Sequence, residues 1–279
     1  MIEAAQRLVG FLDAAPRVLL LTGAGVSTGS GIPDYRDADG AWKRGPPITG
    51  QVFRNDALQR ARYWARSMIG WPLLAGAQPN LAHRALATLQ AQGRITRLIT
   101  QNVDGLHQAA GSTEVIDLHG RLDTLICLAC DQRSPRSVFQ QRLQDDNPDW
   151  AARTAVALPD GDADLEHADF SAFTVPGCTY CGGMLKPDVV FFGEGVPRER
   201  VDAAFAALQA SDGLLVVGSS LMVYSGYRFA VAAHERGLPI AVLTLGKTRA
   251  DDLIDVKIDA PCGETLTAAV AHLAREPAC

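Results

Sequence analysis

No apolar run in this 279-residue chain reaches the roughly 18 residues that a bilayer-spanning helix needs. Runs of basic residues are also missing. Lysine is scarce, with only Lys43, Lys186, Lys247 and Lys257. The formal net charge is −5, so nucleic-acid binding has no electrostatic support. There is no internal repeat. The opening residues, MIEAAQRLVGFLDAAPR, carry Glu3 and Asp13 and place Leu8, Val9, Phe11 and Leu12 at helical spacing. They read as a folded helix rather than a signal or transit peptide, which gives a cytoplasmic expectation. Cysteine is limited to six residues, four of them in two Cys-x-x-Cys pairs. In a reducing compartment that pattern suggests metal before disulfides.

Apolar runs that read as strands lie at Val18–Leu21, Ile95–Ile99, Val115–Leu118, Leu214–Val217, Ile240–Leu243 and Val256–Ile258. Helical patterns lie at Ala82–Gln92, Arg198–Ala210, Gly226–Arg236 and Thr265–Arg275. The alternation predicts an α/β fold, a Rossmann-like doubly wound parallel sheet with helices on both faces. Two segments interrupt it. Residues 37–80 are rich in arginine and aromatics (Trp42, Phe53, Tyr63, Trp64, Trp71) and read as a helical insertion. Residues 121–184 hold both cysteine pairs and read as a smaller zinc-binding module. Residues 1–36, 81–120 and 185–279 then form the Rossmann-like part itself. Within the module, LPDGDADLEHADF is acidic and turn-rich and reads as an exposed loop.

The glycine loop Gly23–Arg36, GAGVSTGSGIPDYR, follows the first strand. A strand running into Gly-x-Gly suits a dinucleotide, since the backbone can approach a pyrophosphate and the next helical turn faces it. Polar residues and Pro33-Asp34-Tyr35-Arg36 follow at once, unlike a dehydrogenase loop. Cys127-x-x-Cys130 and Cys178-x-x-Cys181 can supply four thiolates to one tetrahedral Zn²⁺, which leaves no open position and makes the site structural. A redox disulfide or free thiols are the alternative. Cys262 and Cys279 lack such partners.

Thr100-Gln101-Asn102-Val103-Asp104-Gly105-Leu106-His107 follows the Ile95–Ile99 strand, where open α/β sheets bind ligands. A capped turn is the plain alternative. His119, in Leu118-His119-Gly120, suits a general base at a strand end. A hydrogen-bonded structural histidine is the alternative, and His107 is its competitor. His83, His167, His234 and His272 read as background. Residues 185–194, LKPDVVFFGE, suit pairing with a peptide by strand addition or form an ordinary buried strand. Gly218-Ser219-Ser220 closes the Leu214–Val217 strand with small hydroxyl residues suited to phosphate or ribose.

In this order the motifs resemble the sirtuins, NAD-dependent protein-lysine deacylases, over nearly the whole chain. RYWARSMIGWP, VYSGYRF and TRADDL resemble the class II branch, and the chain is similar to a bacterial member of it. The resemblance implies NAD as co-substrate, one structural zinc and an acyl-lysine protein or peptide as partner. It implies NAD contacts from Gly23, Ala24, Gly25, Ser27, Gly218, Ser219 and Ser220. It places Ile32, Pro33, Asp34, Tyr35 and Arg36 in a mobile cofactor loop. Gln101, Asn102 and Asp104 position nicotinamide and its ribose, with Asn102 and Asp104 counted as catalytic, and His119 is the general base. Val190 and Phe191 flank the acyl-lysine tunnel.

The chemistry implied is nicotinamide release through an oxocarbenium-like state and attack by the acyl oxygen. Base-assisted attack by the ribose hydroxyl and then hydrolysis follow. Products are nicotinamide, free lysine and O-acyl-ADP-ribose. The sequence departs from the family at Thr244, in Thr244-Leu245-Gly246, where asparagine is usual for the adenosine ribose. Cys262 falls at the adenine side. Tyr63 and Arg66, three apart on a helix, resemble the pair in sirtuins that remove acidic acyl groups, and an Arg guanidinium matches a carboxylate. This predicts a preference for glutaryl or methylglutaryl chains, with a surface ion pair at Arg66 as the alternative. Protein ADP-ribosylation or NAD hydrolysis in the same pocket, and a non-catalytic NAD sensor, are the competing functions.

Overall fold

The apolar residues Leu8, Val9, Phe11 and Leu12 form the buried face of the first helix, α1 (Ile2–Ala14). In this computed structural model residues 2–43, 47–151 and 169–275 are described. Strand β1 (Val18–Thr22) follows α1. Two short 3-10 turns come next, Ala24–Val26 and Thr28–Ser30. The helical turn expected after the glycines is therefore not the start of a long α-helix. Helices α2 (Gly50–Asn55) and α3 (Ala57–Ala75) are capped by the side chains of Thr49 and Asp56. Helix α4 (Leu81–Ala91) opens with a capping box. Asn80 accepts from the N–H groups of Ala82 and His83, and the His83 ring accepts from the Asn80 N–H. The order continues β2 (Ile95–Thr100), α5 (Leu106–Ala109), β3 (Ile116–Asp117), β4 (Gly120–Cys127), β5 (Arg133–Pro135), α6 (Arg136–Asp146) and α7 (Pro148–Ala151). It ends β6 (Leu185–Val189), α8 (Arg198–Gln209), β7 (Gly213–Val217), α9 (Tyr224–Glu235), β8 (Ile240–Leu243), β9 (Val256–Ile258) and α10 (Cys262–Leu273).

The larger sheet has the order β3-β2-β1-β7-β8-β9, with every pairing parallel. Counted within the sheet this is 3-2-1-4-5-6, the doubly wound order whose ligand crevice lies where the winding reverses. Here that point is between β1 and β7. The central strands are buried along their whole length, which explains why they read as unbroken apolar runs. One face packs on α1, α4 and α10 and the other on α8 and α9. Burying each of these leucine or valine side chains contributes about 1.5–3 kcal/mol. The expected Val115–Leu118 strand shrinks to Ile116–Asp117, an edge strand that follows Glu114 in a left-handed conformation.

The smaller sheet is antiparallel, in the order β5-β4-β6. Leu185–Val189 hydrogen-bonds here, although the sequence had grouped it with the larger sheet's segments. A third core joins α3 and α6 to this sheet through Phe53, Trp64, Phe139 and Phe191. Residues 158–168 of the acidic stretch lie outside the described residues. Among the described residues, no helix is long and apolar enough to cross a membrane.

Candidate functional site

The crevice is built by two turns pressed together. The Gly25 N–H donates to the Gly218 carbonyl at 2.8 Å. A Cβ on Gly23 would lie 2.7 Å from Ser219 Cβ, and one on Gly218 would lie 2.4 Å from the Val26 nitrogen. Only glycine permits this approach, and Gly218 also has φ of +62°. Here the glycines serve strand-end packing. The hydroxyls of Ser220 and Thr244, on neighbouring strand ends, have no hydrogen-bond partner among the described residues. Such free donors, at the switch point of a parallel sheet, fit a dinucleotide.

The polar residues after β2 converge on the same crevice. Asn102 donates its amide to the Gly23 carbonyl at 3.1 Å and to Ser27 Oγ at 3.0 Å. Ser27 in turn donates to Asp104 at 2.7 Å, and Asp104 accepts the Leu106 N–H. Ser219 donates to Gln101 Oε1 at 2.6 Å. Asn102 and Asp104 are thus held by the glycine loop, and Gln101 by the β7 turn.

Beneath them lies a polar cluster that sequence reading undervalued. His83, set aside as background, is fully buried, and His107 is 1% exposed. Their rings stand 4.9 Å apart. His107 Nε2 is 2.9 Å from Thr22 Oγ1. Thr22 donates to Thr100, which accepts the Asn102 N–H. Burial pushes the pKa of His107 down to about 3 and that of His83 to about 4. Both rings are neutral at pH 7 and enclosed, whereas His119 is half-buried. The one sequence signal was Asn80 three residues before His83, the spacing of a capping box.

His119 ends the turn after β3. Its Nδ1 is 2.9 Å from the Gln101 carbonyl and its Nε2 2.7 Å from Ser225 Oγ. A carbonyl only accepts, so Nδ1 carries the proton and Nε2 presents a lone pair. Burial lowers its pKa to about 4, with Arg200 and Arg228 adding to the effect against the Gln101 hydrogen bond. The ring is the neutral, proton-accepting tautomer. Ser225 and Gly226 were missed, since VYSGYRF offers no motif that marks a ligand of histidine.

Gly120, at φ of +85°, turns the chain from His119 into β4, and the Val190 N–H donates to the His119 carbonyl. Phe191 follows and packs 5.3 Å from Tyr63, within a set of edge-on aromatics that includes Phe53 and Trp64. Lys186 and Glu194, 3.0 Å apart, brace this turn, and Glu194 accepts the Phe191 N–H. Tyr63 is buried, and Arg66 lies one turn along α3, half-buried. Ile32 packs with Trp71 and Leu106. Arg36 stacks 3.9 Å over Trp42, Asp34 pairs with Lys43, and Tyr35 and Phe192 meet Trp42 edge-on. The Lys247 N–H donates to the Ala38 carbonyl, so this loop spans towards Gly246. Cys262, first in α10, points its thiol at the Leu243 carbonyl, and burial pushes its pKa up to about 12. Thr244 and Cys262 therefore stand beyond β8, across the crevice from His119.

The four sulfurs of Cys127, Cys130, Cys178 and Cys181 lie within 4.8 Å of one another. None is in a disulfide; the Cys127–Cys181 and Cys130–Cys178 sulfurs are 3.5 and 4.0 Å apart. A Cβ at Gly183 would lie 3.0–3.1 Å from two of these sulfurs, so the knuckle needs glycine there. The donor set fits one closed, structural zinc ion.

A doubly wound parallel sheet, a polar crevice at its switch point and a four-cysteine module define a Rossmann-like nucleotide-binding protein with a metal-braced insertion. The chain belongs to the Sir2 family, whose family model matches residues 23–225. A relative from Bordetella bronchiseptica, named NAD-dependent protein deacetylase, is 60% identical over 266 residues, 95% of this chain and 97% of its own length. The Bos taurus NAD-dependent protein lipoamidase sirtuin-4, mitochondrial, is 47% identical over 95% of this chain and 85% of its own, in line with the class II resemblance. A solved Sir2–p53 peptide–NAD+ complex is 29% identical, with TM-score 0.75, covering 96% of this chain and 98% of that chain.

Metal analysis is expected to return about one zinc per chain, and Cys130→Ser to lower the melting temperature by several degrees. Unchanged thermal stability after full zinc removal would contradict a structural role. His83 and His107 bind protons more weakly when folded than their ordinary 6.5. The unfolded chain therefore binds more protons below pH 6.5, and stability falls as pH drops from there towards about 4, by up to roughly 1.4 kcal/mol per unit for each ring. Denaturant unfolding at pH 7 and pH 5 checks this. His107→Gln, which keeps a donor near Thr22, should flatten the slope, and an unchanged slope counts against the assignment.

Proposed function

We propose that this protein is an NAD-dependent protein-lysine deacylase. The observation that carries the reading is His119, a neutral base with its lone pair at Nε2, held on the chain that also positions Gln101, Val190 and Phe191. NAD would lie along the Gly23–Gly25 and Gly218–Ser220 turns, with its adenosine end towards Thr244, Leu245, Gly246 and Cys262. When bound it supplies an electrophilic ribose carbon once nicotinamide leaves. Asn102 and Asp104, fixed through Ser27, hold the nicotinamide-ribose end. Holding the acyl oxygen in line with that carbon is the task of the wall formed by Val190 and Phe191. His119 accepts a proton at Nε2 from a ribose hydroxyl. β6 is an edge strand, and strand addition gives a peptide a docking route beside it. The named deacetylase relatives and the peptide- and NAD-bound neighbour support this reading.

The finer reading is a preference for acyl chains ending in a carboxylate. It rests on Tyr63, which packs on Phe191, and on Arg66 one turn away on the same helix. A guanidinium reads such a terminus by charge-assisted hydrogen bonds.

Acetyl, glutaryl, methylglutaryl and lipoyl lysine peptides, each with NAD, test both levels. Wild type should release nicotinamide only with acyl-peptide and yield O-acyl-ADP-ribose by mass spectrometry. His119→Ala should lower deacylation about a hundredfold or more. ADP-ribosylated protein as the main product would favour transfer, free ADP-ribose without peptide would favour hydrolysis, and no release at all a sensor. Arg66→Ala should lose at least about tenfold on glutaryl peptides and little on acetyl peptides. Unchanged preference in that variant refutes the acidic-acyl reading.

A further inference from the structure

Both ring nitrogens of His119 are engaged by the protein itself. Nδ1–H donates to the Gln101 carbonyl at 2.9 Å, and the Ser225 hydroxyl donates to Nε2 at 2.7 Å. Ser225 is buried, at 9% exposure, in the first turn of α9. Its neighbour Gly226 is fitted to the same place. A Cβ there would stand 2.5 Å from Gln101 Nε2, so a side chain at 226 would displace the Gln101 amide. The Ser225-Gly226 step thus brings α9 onto His119 and onto Gln101, which holds the other side of its ring.

We propose that Ser225 is a positioning residue for the base, holding the His119 imidazole in one orientation and supporting it before and after it takes a proton. The proposal rests on the deacylase reading given above. Its physical basis is the hydroxyl, which is both donor and acceptor. While His119 is neutral, Ser225 Oγ–H donates to the Nε2 lone pair. The Ser225 O–H first turns off the single Nε2 lone pair, giving up that bond, and the ribose hydroxyl then gives its proton to Nε2; the Ser225 oxygen accepts from the new Nε2–H. The imidazolium formed this way is poorly accommodated, because Arg200 and Arg228 act on it with like charge and the ring is largely withdrawn from water. The Gln101 carbonyl and Ser225 oxygen are the two acceptors given to it among the described residues. Without Ser225 the Nε2–H would be left unpaired in a low-dielectric site.

Nicotinamide release precedes the proton transfer, so the two steps separate the effect. Exchange of labelled nicotinamide into NAD in the presence of acyl-peptide reads the first step, and net deacylation reads both. Ser225→Ala is expected to lower net deacylation about tenfold while exchange stays within about twofold. Ser225→Thr and Ser225→Val, alike in shape and differing in the hydroxyl, keep the test valid if the alanine variant folds poorly. Thr should retain several-fold more deacylation than Val at matched melting temperature. Equal loss of exchange and deacylation, no loss in Ser225→Ala, or equal activity of Thr and Val would each overturn the assignment. The contact is also read without turnover. The ¹⁵N signals of the His119 ring in ligand-free wild type should show a hydrogen-bonded Nε2 that shifts towards an unbonded nitrogen in Ser225→Ala, and no shift overturns it. A wild type inactive in both assays defeats the deacylase reading, whereas an active wild type with an unaffected Ser225→Ala defeats this inference alone.

Discussion

At the ends of β1 and β7, the Gly25 N–H meets the Gly218 carbonyl at 2.8 Å, and the backbone at Gly23 lies against Ser219 with no space for a side chain. Most of the crevice is referred to this contact. The Gly23 carbonyl receives Asn102, and the same turn positions Ser27, which holds Asp104. Ser219 donates to Gln101, whose backbone carbonyl holds His119. A side chain at Gly23 or Gly218 would separate the strand ends and shift these partners together. Interiors are close-packed and transmit such displacements rather than absorb them.

The second constraint is the passage from the larger sheet into the smaller one. Gly120 makes that passage in a left-handed conformation, with no room for a Cβ against the Asp188 carbonyl. The Val190 N–H then returns to the His119 carbonyl. The His119 ring and the aromatic wall of Phe191, Tyr63 and Phe53 are therefore fixed to each other by backbone, and the four-cysteine knuckle braces the far end of the same strands. The electrostatics follow from this enclosure. Burial keeps His83, His107 and His119 neutral, and His119 has both ring nitrogens held, by the Gln101 carbonyl and by Ser225.

Much of the fold was legible because its signals are local. The fully buried strands β1, β7 and β8 read as apolar runs, and helices α4, α8, α9 and α10 fell within a few residues of their expected bounds. The cysteine spacing was equally direct. What stayed hidden depended on partners distant in sequence. His83 looked like an ordinary helical histidine, and nothing local says that it lies 4.9 Å from His107. Ser225 is 106 residues from His119. β6 joined the smaller sheet because its pairing with β4 is long-range.

The sequence by itself determined the doubly wound sheet, the position of the polar segments at its strand ends, the four-thiolate set and the Sir2 resemblance, since period, spacing and residue type are properties of the chain. Tertiary structure alone decided which histidine presents a lone pair and which two are sealed. It also decided that Ser225 meets Nε2, and that the glycines serve first to bring two strands together. The physical reason is that tautomer, burial and hydrogen-bond partner are fixed by what surrounds a side chain, and those surroundings come from elements far apart in sequence.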